Sequence, residues 1–269
     1  MRRTPGDRLF GIVILSNLLA LFLFLVVLVA STAGYVRWER ALDILFSDEI
    51  LYSIRLSLLT ATTASLLALL FSVPAALALS RLRFPGRNLV DTVLDLPIVL
   101  SPVATGAILL IFFNNTALGT FIETHVVGFT FRVPGIVLAQ FVVVSALAVR
   151  LLKATFDGID TRYEDVARTL GAGRIRAVWH VTLPMARPGI LAALVLTWSR
   201  ALGEFGATVT LAGATAMKTE TLPVAIFLGF SRADVQQALI VVVALIVIAL
   251  AVLLLIRALG GRTVAGDKN

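Results

Sequence analysis

The stretch that decides the fold is "DTRYEDVARTLGAGRIRAVWHVTLPMARPG", residues 160–189. It is charged, it has helical periodicity, glycines interrupt it, and Pro184 and Pro188 close it. Long apolar runs flank it on both sides. Thr161 and Glu164 form Thr-x-x-Glu, the spacing of a capping box that starts a helix. Tyr163, Val166, Ala167 and Leu170 follow at i, i+3, i+4 and i+7, one face of that helix. Gly171 is placed to cap its C-terminal end, and Gly173 adds freedom to turn. A second helical stretch carries Ile175, Val178 and Trp179 on one side. The two prolines then punctuate the start of the next apolar run.

The surroundings say where this polar segment lies. Hydrophobic residues make up 59% of the 269-residue chain and charged residues only 14%, against roughly 25% charged in a soluble domain. Apolar runs of about 18 or more residues recur, each a transmembrane helix by length. Six spans are predicted, at about 9–33, 51–80, 89–113, 133–153, 188–212 and 235–257. The first is longer than the h-region of a signal peptide, so it is expected to stay as a span. No low-complexity tract or internal repeat is visible, and the chain reads as a single membrane domain, 1–269. The polar stretch falls in the loop at about 154–187.

Charge fixes the orientation. With the N-terminus in the cytoplasm, 16 of the 23 Lys and Arg residues fall on the cytoplasmic side and five outside; Arg55 and Arg200 lie within spans. By the positive-inside rule both termini are then cytoplasmic. The same bias accounts for the net charge of +7 without any nucleic-acid partner. The absence of cysteine excludes disulfides and thiolate chemistry. His125 and His180 stand far apart, outside any ligand-spaced cluster, so no metal site is expected.

An amphipathic loop helix could lie on its own bundle or at the lipid headgroups. Spacing adds a sharper reading. Asp165-Val166-Ala167, then Gly171, then Val181-Thr182-Leu183-Pro184 resembles the EAA loop of bacterial ABC importer permeases (Glu-Ala-Ala, three residues, Gly, nine residues, Ile, any residue, Leu-Pro). "YEDVARTLGAG" and "MARPGI" are similar to the same family. Asp165, Val166 and Val181 depart from its pattern but keep charge or apolar character. The resemblance implies an all-α membrane protein with six transmembrane helices, the type I ABC importer permease fold, and a cytoplasmic coupling helix. It implies an ATPase-coupling set of Tyr163, Glu164, Asp165, Val166, Ala167, Leu170, Gly171, Leu183 and Pro184. It also implies two separate cytoplasmic ATP-binding subunits, whose ATP-driven closure rocks a pair of permeases between inward-facing and outward-facing states. ATP and Mg would belong to those partners. This chain has no G-x-x-x-x-G-K-[ST] loop; "ATAMKT" at 214–219 has Met217 where glycine is needed. The chain is therefore not expected to be an enzyme by itself.

"ALGEFGAT" at 201–208, "TLPVAIFLGF" at 221–230 and "LDLPIVLSPVATGAILLIF" at 94–112 resemble permeases for molybdate, tungstate or sulfate, with sulfate or thiosulfate as the alternative substrate. The resemblance implies an external oxyanion-binding protein that sets specificity, a second permease copy, and residence in the cell (inner) membrane among lipid. Arg200 and Glu204 lie near mid-span at i and i+4, where a charge costs at least ~2.5–3.5 kcal/mol. They either pair and pin the helix or border the pathway. Pro97 and Pro102 interrupt the third span, as a packing kink or as part of a gate. The candidate pathway set is Ser101, Pro102, Thr105, Gly106, Arg200, Glu204, Phe205, Thr208 and Thr210. An ion-coupled secondary transporter would want several intramembrane acids, and only Glu204 lies at mid-depth. A membrane enzyme would need a catalytic cluster that the two histidines and scattered acids do not supply.

Overall fold

A computed structural model describes the backbone of residues 5–265 and the side chains of 10–254. The described chain is helical throughout, in the order α1 (Pro5–Gly34), α2 (Ala41–Leu45), α3 (Asp48–Arg81), α4 (Arg87–Val99), α5 (Pro102–Asn115), α6 (Ala117–His125), α7 (Val133–Asp157), α8 (Arg162–Thr169), α9 (Arg174–Ala177), α10 (Leu183–Leu202), α11 (Gly206–Ala212), α12 (Leu222–Ser231) and α13 (Val235–Ala265). A π turn, Val178–Thr182, joins α9 to α10. Five of these segments are long and apolar enough to cross a membrane, or six if the bent pair α4–α5 counts as one span.

The core is the packing of α3 along α7, with α10 against both. On α3 the buried positions include Ser57, Ala61, Ala64, Ser65, Ala68 and Ser72. Small residues at helical spacing let two backbones approach closely, which is how helices associate where lipid weakens the hydrophobic drive. Trp198 fills the junction of α3, α7 and α10 with Ala61, Val144 and Leu202, and its indole N–H donates to Thr62 Oγ1 at 3.0 Å. α3 has 34 residues, about 50 Å at 1.5 Å per residue, against a hydrocarbon layer of ~30 Å. Its basic end, at Arg81, therefore reaches out of the apolar layer.

Two predicted spans are interrupted in the structure. The third is not one rod: α4 and α5 meet at 111°. The cause is Pro102, which forces the preceding residue out of the α region. Ser101 is extended, and its Oγ accepts from Ala104 N–H at 3.2 Å, capping α5. Pro97 lies inside α4 without ending it. The fifth predicted span starts earlier, within α10 at Leu183, and is interrupted after Leu202; Gly203–Phe205 separates α10 from α11. Neither proline at its start breaks the helix. The π turn comes just before Pro184, and Pro188 is carried inside α10. The loops expected at 114–132 and 213–234 contain helices of their own, α6 and α12. Leu222, Val224 and Ala225 of α12 are fully buried, against α13 and α3.

α5 and α11 touch across two glycines. A Cβ on Gly106 would lie 2.7 Å from Ala207 O and 2.8 Å from Thr210 Cβ; on Gly206 it would lie 2.9 Å from Pro102 Cβ. Only a hydrogen fits at either position. Gly106→Val should lose ~1–3 kcal/mol, the usual cost of overpacking, read as a lower thermal unfolding midpoint in detergent. An unchanged midpoint would show that α5 and α11 do not pack this way.

Candidate functional site

The polar stretch folds as a helix, a reversal and a second helix, but not through the predicted capping box. Thr161 has helical backbone angles and makes no side-chain cap. Asp160 Oδ1 instead accepts from Arg162 N–H at 2.9 Å. Glu164, expected to reach back to its own helix, points into the body of the protein. Its Oε1 accepts from Arg81 Nε at 2.8 Å and from Thr182 Oγ1 at 2.8 Å. The tertiary partners win because a charged guanidinium is a stronger donor than a backbone amide.

Arg81 is held on every side. Its Nη2 donates to Ile159 O at 3.0 Å and its Nη1 to Ser80 Oγ at 3.0 Å. Ser80 donates in turn to Asp157 Oδ1 at 2.5 Å, and Lys153 Nζ to Asp157 Oδ2 at 2.7 Å. Arg81 and Glu164 side chains are only 12% and 14% exposed, and Thr182 is fully buried. Asp165, at the acidic position of the EAA pattern, lies on the surface. It faces Arg168 at 3.5 Å, an exposed pair worth little.

The reversal is built by Gly171. Its φ is +89°, a left-handed conformation that an L side chain adopts at a cost. Gly171 N–H donates to Arg168 O and Ala172 N–H to Ala167 O, both at 3.0 Å, the paired bonds of a Schellman motif. The result leaves Tyr163, Val166 and Leu170 exposed, Leu170 to 84%. Ile175 and Trp179 are exposed as well. Ala167 is half-buried, and Leu183 and Pro184 are half-buried in the first turn of α10.

The two segments of the predicted pathway lie against each other at the break in the fifth span. Glu204 is buried; its Oε2 accepts from Arg200 Nη1 at 2.6 Å and its Oε1 from Ala207 N–H at 2.9 Å. It therefore both pairs with Arg200 and caps α11. At the end of α10, Ala201 O accepts from the buried Gln140 Nε2 at 3.0 Å. Gln140 was not singled out from sequence; a lone amide in an apolar span was the available signal. Thr105 and Gly106 are buried, as is Thr208, while Ser101 and Gly203 are exposed. Pro102, Phe205 and Thr210 are half-buried.

The far end of α3 is also tied down. Ser57 Oγ accepts from Leu222 N–H at 2.7 Å, Tyr52 O–H donates to Lys218 O at 2.8 Å, and Arg232 Nη1 donates to Glu49 Oε1 at 2.7 Å. Beside them burial pushes the Glu220 carboxyl above its ordinary range; the Met217 N–H donor opposes that and neighbouring Glu49 adds to it.

Residues 68–264 match the family described as binding-protein-dependent transport system inner membrane component. The chain belongs to this family. Its relatives include the probable molybdenum ABC transporter permease protein of Haloferax volcanii, 41% identical over 204 residues, which are 76% of this chain and 73% of that protein. The molybdate/tungstate transport system permease protein WtpB of Thermococcus kodakarensis is 32% identical over 249 residues, 90% of this chain and 94% of its own. A chain of a bacterial alginate ABC transporter, solved with an alginate-bound periplasmic protein, superposes with a TM-score of 0.77 over 96% of both chains at 18% identity. That likeness shows the fold alone. The chain is an all-α, multi-pass membrane permease with the type I ABC importer fold. It is a transport subunit like its relatives, which are named as permease proteins.

Replacing Gly171 with alanine should cost ~1–2 kcal/mol, because the left-handed angle and not a clash is the obstacle. Hydrogen exchange at the Ala172 amide should then speed up by a factor of about 5–30. Unchanged protection would contradict the Schellman geometry.

Proposed function

We propose that this permease is the transmembrane subunit of an ATP-driven importer of molybdate and tungstate. Two copies would pair, with two ATP-binding subunits at the basic, cytoplasmic end and an oxyanion-binding protein outside. ATP and Mg would be held by the ATPase partners. The observation that carries the coupling reading is the exposed apolar stripe Tyr163, Val166 and Leu170 on a helix whose basic surroundings support a cytoplasmic position. An apolar helix face held in water fits a helix-in-groove contact with a partner. The substrate reading rests on the relatives with molybdate or tungstate in their names.

ATP binding does work here only through differential affinity: closure of the ATPase pair must favour one permease state over the other. Arg200 and Glu204 neutralise each other at 2.6 Å, so Arg200 is not left as an unpaired cation that would trap a dianion. Weak, transient contacts suit a passage. The gate in this reading is formed by Ser101, Pro102, Thr105 and Gly106 against Phe205, Thr208 and Thr210, with Arg200 and Glu204 at its edge.

Two experiments test the reading. Reconstituted with its ATPases and binding protein in liposomes, the permease should import molybdate and tungstate, and equimolar sulfate should not compete. Efficient sulfate uptake would replace the substrate class. Leu170→Asp should abolish both copurification of the ATPase and uptake while membrane insertion persists. Normal copurification and uptake would end the coupling role of α8.

A further inference from the structure

We infer that Arg81 is a positioning residue for coupling: it locks the docking helix α8 to α3, so that the two move as one body and carry the signal between the ATPase and the external face. The inference rests on the coupling role proposed for α8. None of the eight residues of α8 is buried, so apolar packing does not fasten this helix to the membrane domain. What reaches inward from it is Glu164, and Glu164 is met by Arg81, the last residue of α3.

The geometry suits a rigid joint. A guanidinium is a planar fork, and each of the three Arg81 nitrogens has its own partner: Glu164 at 2.8 Å, Ser80 at 3.0 Å and the Ile159 carbonyl at 3.0 Å. Glu164 is closed from the other side by the buried Thr182 hydroxyl at 2.8 Å. The Arg81–Glu164 pair thus joins the end of α3, the start of the docking loop and the π turn that leads into α10. A push on α8 has no loose side chain to absorb it before reaching α3.

α3 then delivers the displacement to the opposite side. Its far end holds the segment between α11 and α13 through Ser57, Tyr52 and Glu49. That segment lies on the face where an external binding protein would dock. The same rod, joined at both ends, accounts for communication in both directions. A merely stabilising ion pair would not need the fastening at both ends of α3.

The test uses the complete complex of permease, ATPase and molybdate-loaded binding protein in liposomes, with Arg81→Gln and the exchange Arg81→Glu/Glu164→Arg. Arg81→Gln should copurify with the ATPase and hydrolyse ATP at the basal rate. Stimulation by the loaded binding protein should fall ~5-fold or more, the lower end of ordinary coupling free energies, and uptake should fall with it. The exchange should restore part of the stimulation. Wild-type stimulation in Arg81→Gln, or an exchange no better than the single variant, overturns the inference. Should Arg81→Gln fail to assemble, Arg81→Lys decides: it keeps the charge and loses the fork, so reduced stimulation supports the joint and full stimulation refutes it. Failure of the ATPase to copurify with the wild-type chain would instead remove the coupling role of α8 itself.

Discussion

A carboxylate set among three arms of the protein is the constraint on which the rest depends. Glu164 is almost out of water, and a charge so placed is tolerable only when paired and hydrogen-bonded. Arg81 and Thr182 provide both. Removing Arg81 would leave an unpaired, poorly solvated charge, so the ends of α3 and α8 are obliged to stay together, with the start of α10 tied in through Thr182. The exposed face of α8 depends on this arrangement. Without an inward anchor, a short helix carrying Tyr163, Val166 and Leu170 would gain by folding its apolar side down.

A second constraint acts inside the apolar layer. Each broken span frees backbone groups that lipid cannot satisfy. The break after Leu202 is answered by Gln140 at the end of α10 and by Glu204 at the start of α11. At the other end of α11, Leu211 O accepts from Phe131 N–H at 3.1 Å, and Phe131 takes a left-handed φ of 54° to do so. Ser101 serves the break before α5. Glycines at 106 and 206 then bring the two interrupted helices into contact. The interruption is thus a fastened unit, which a gate requires if it is to hold two discrete positions.

Much of this was legible in the sequence because it depends on local periodicity. The apolar runs and the cap at Gly171 each follow from a few neighbouring residues. What stayed hidden depends on residues far apart. Thr161 and Glu164 have the spacing of a capping box, yet Arg81, 83 positions away, offers Glu164 a stronger partner. The proline pattern at 97 and 102 announced a broken span without saying which proline ends the helix; the extended Ser101 decides it. α12 escaped notice because ten residues are too few to span and the stretch has no polar face. The intramembrane charges at 200 and 204 were visible, but their double role as pair and cap was not, since it depends on the chain turning at Gly203.

The most direct test of a rigid joint exploits the absence of cysteine in the chain. Cysteines replacing Arg81 and Glu164 can be bridged by a short bifunctional thiosulfonate whose span matches the original pair. If α8 and α3 move as one body, bridging should restore binding-protein-stimulated ATP hydrolysis that the unbridged double variant has lost. If bridging forms the link yet leaves that stimulated hydrolysis lost, a rigid tie between α8 and α3 is not the element that couples them.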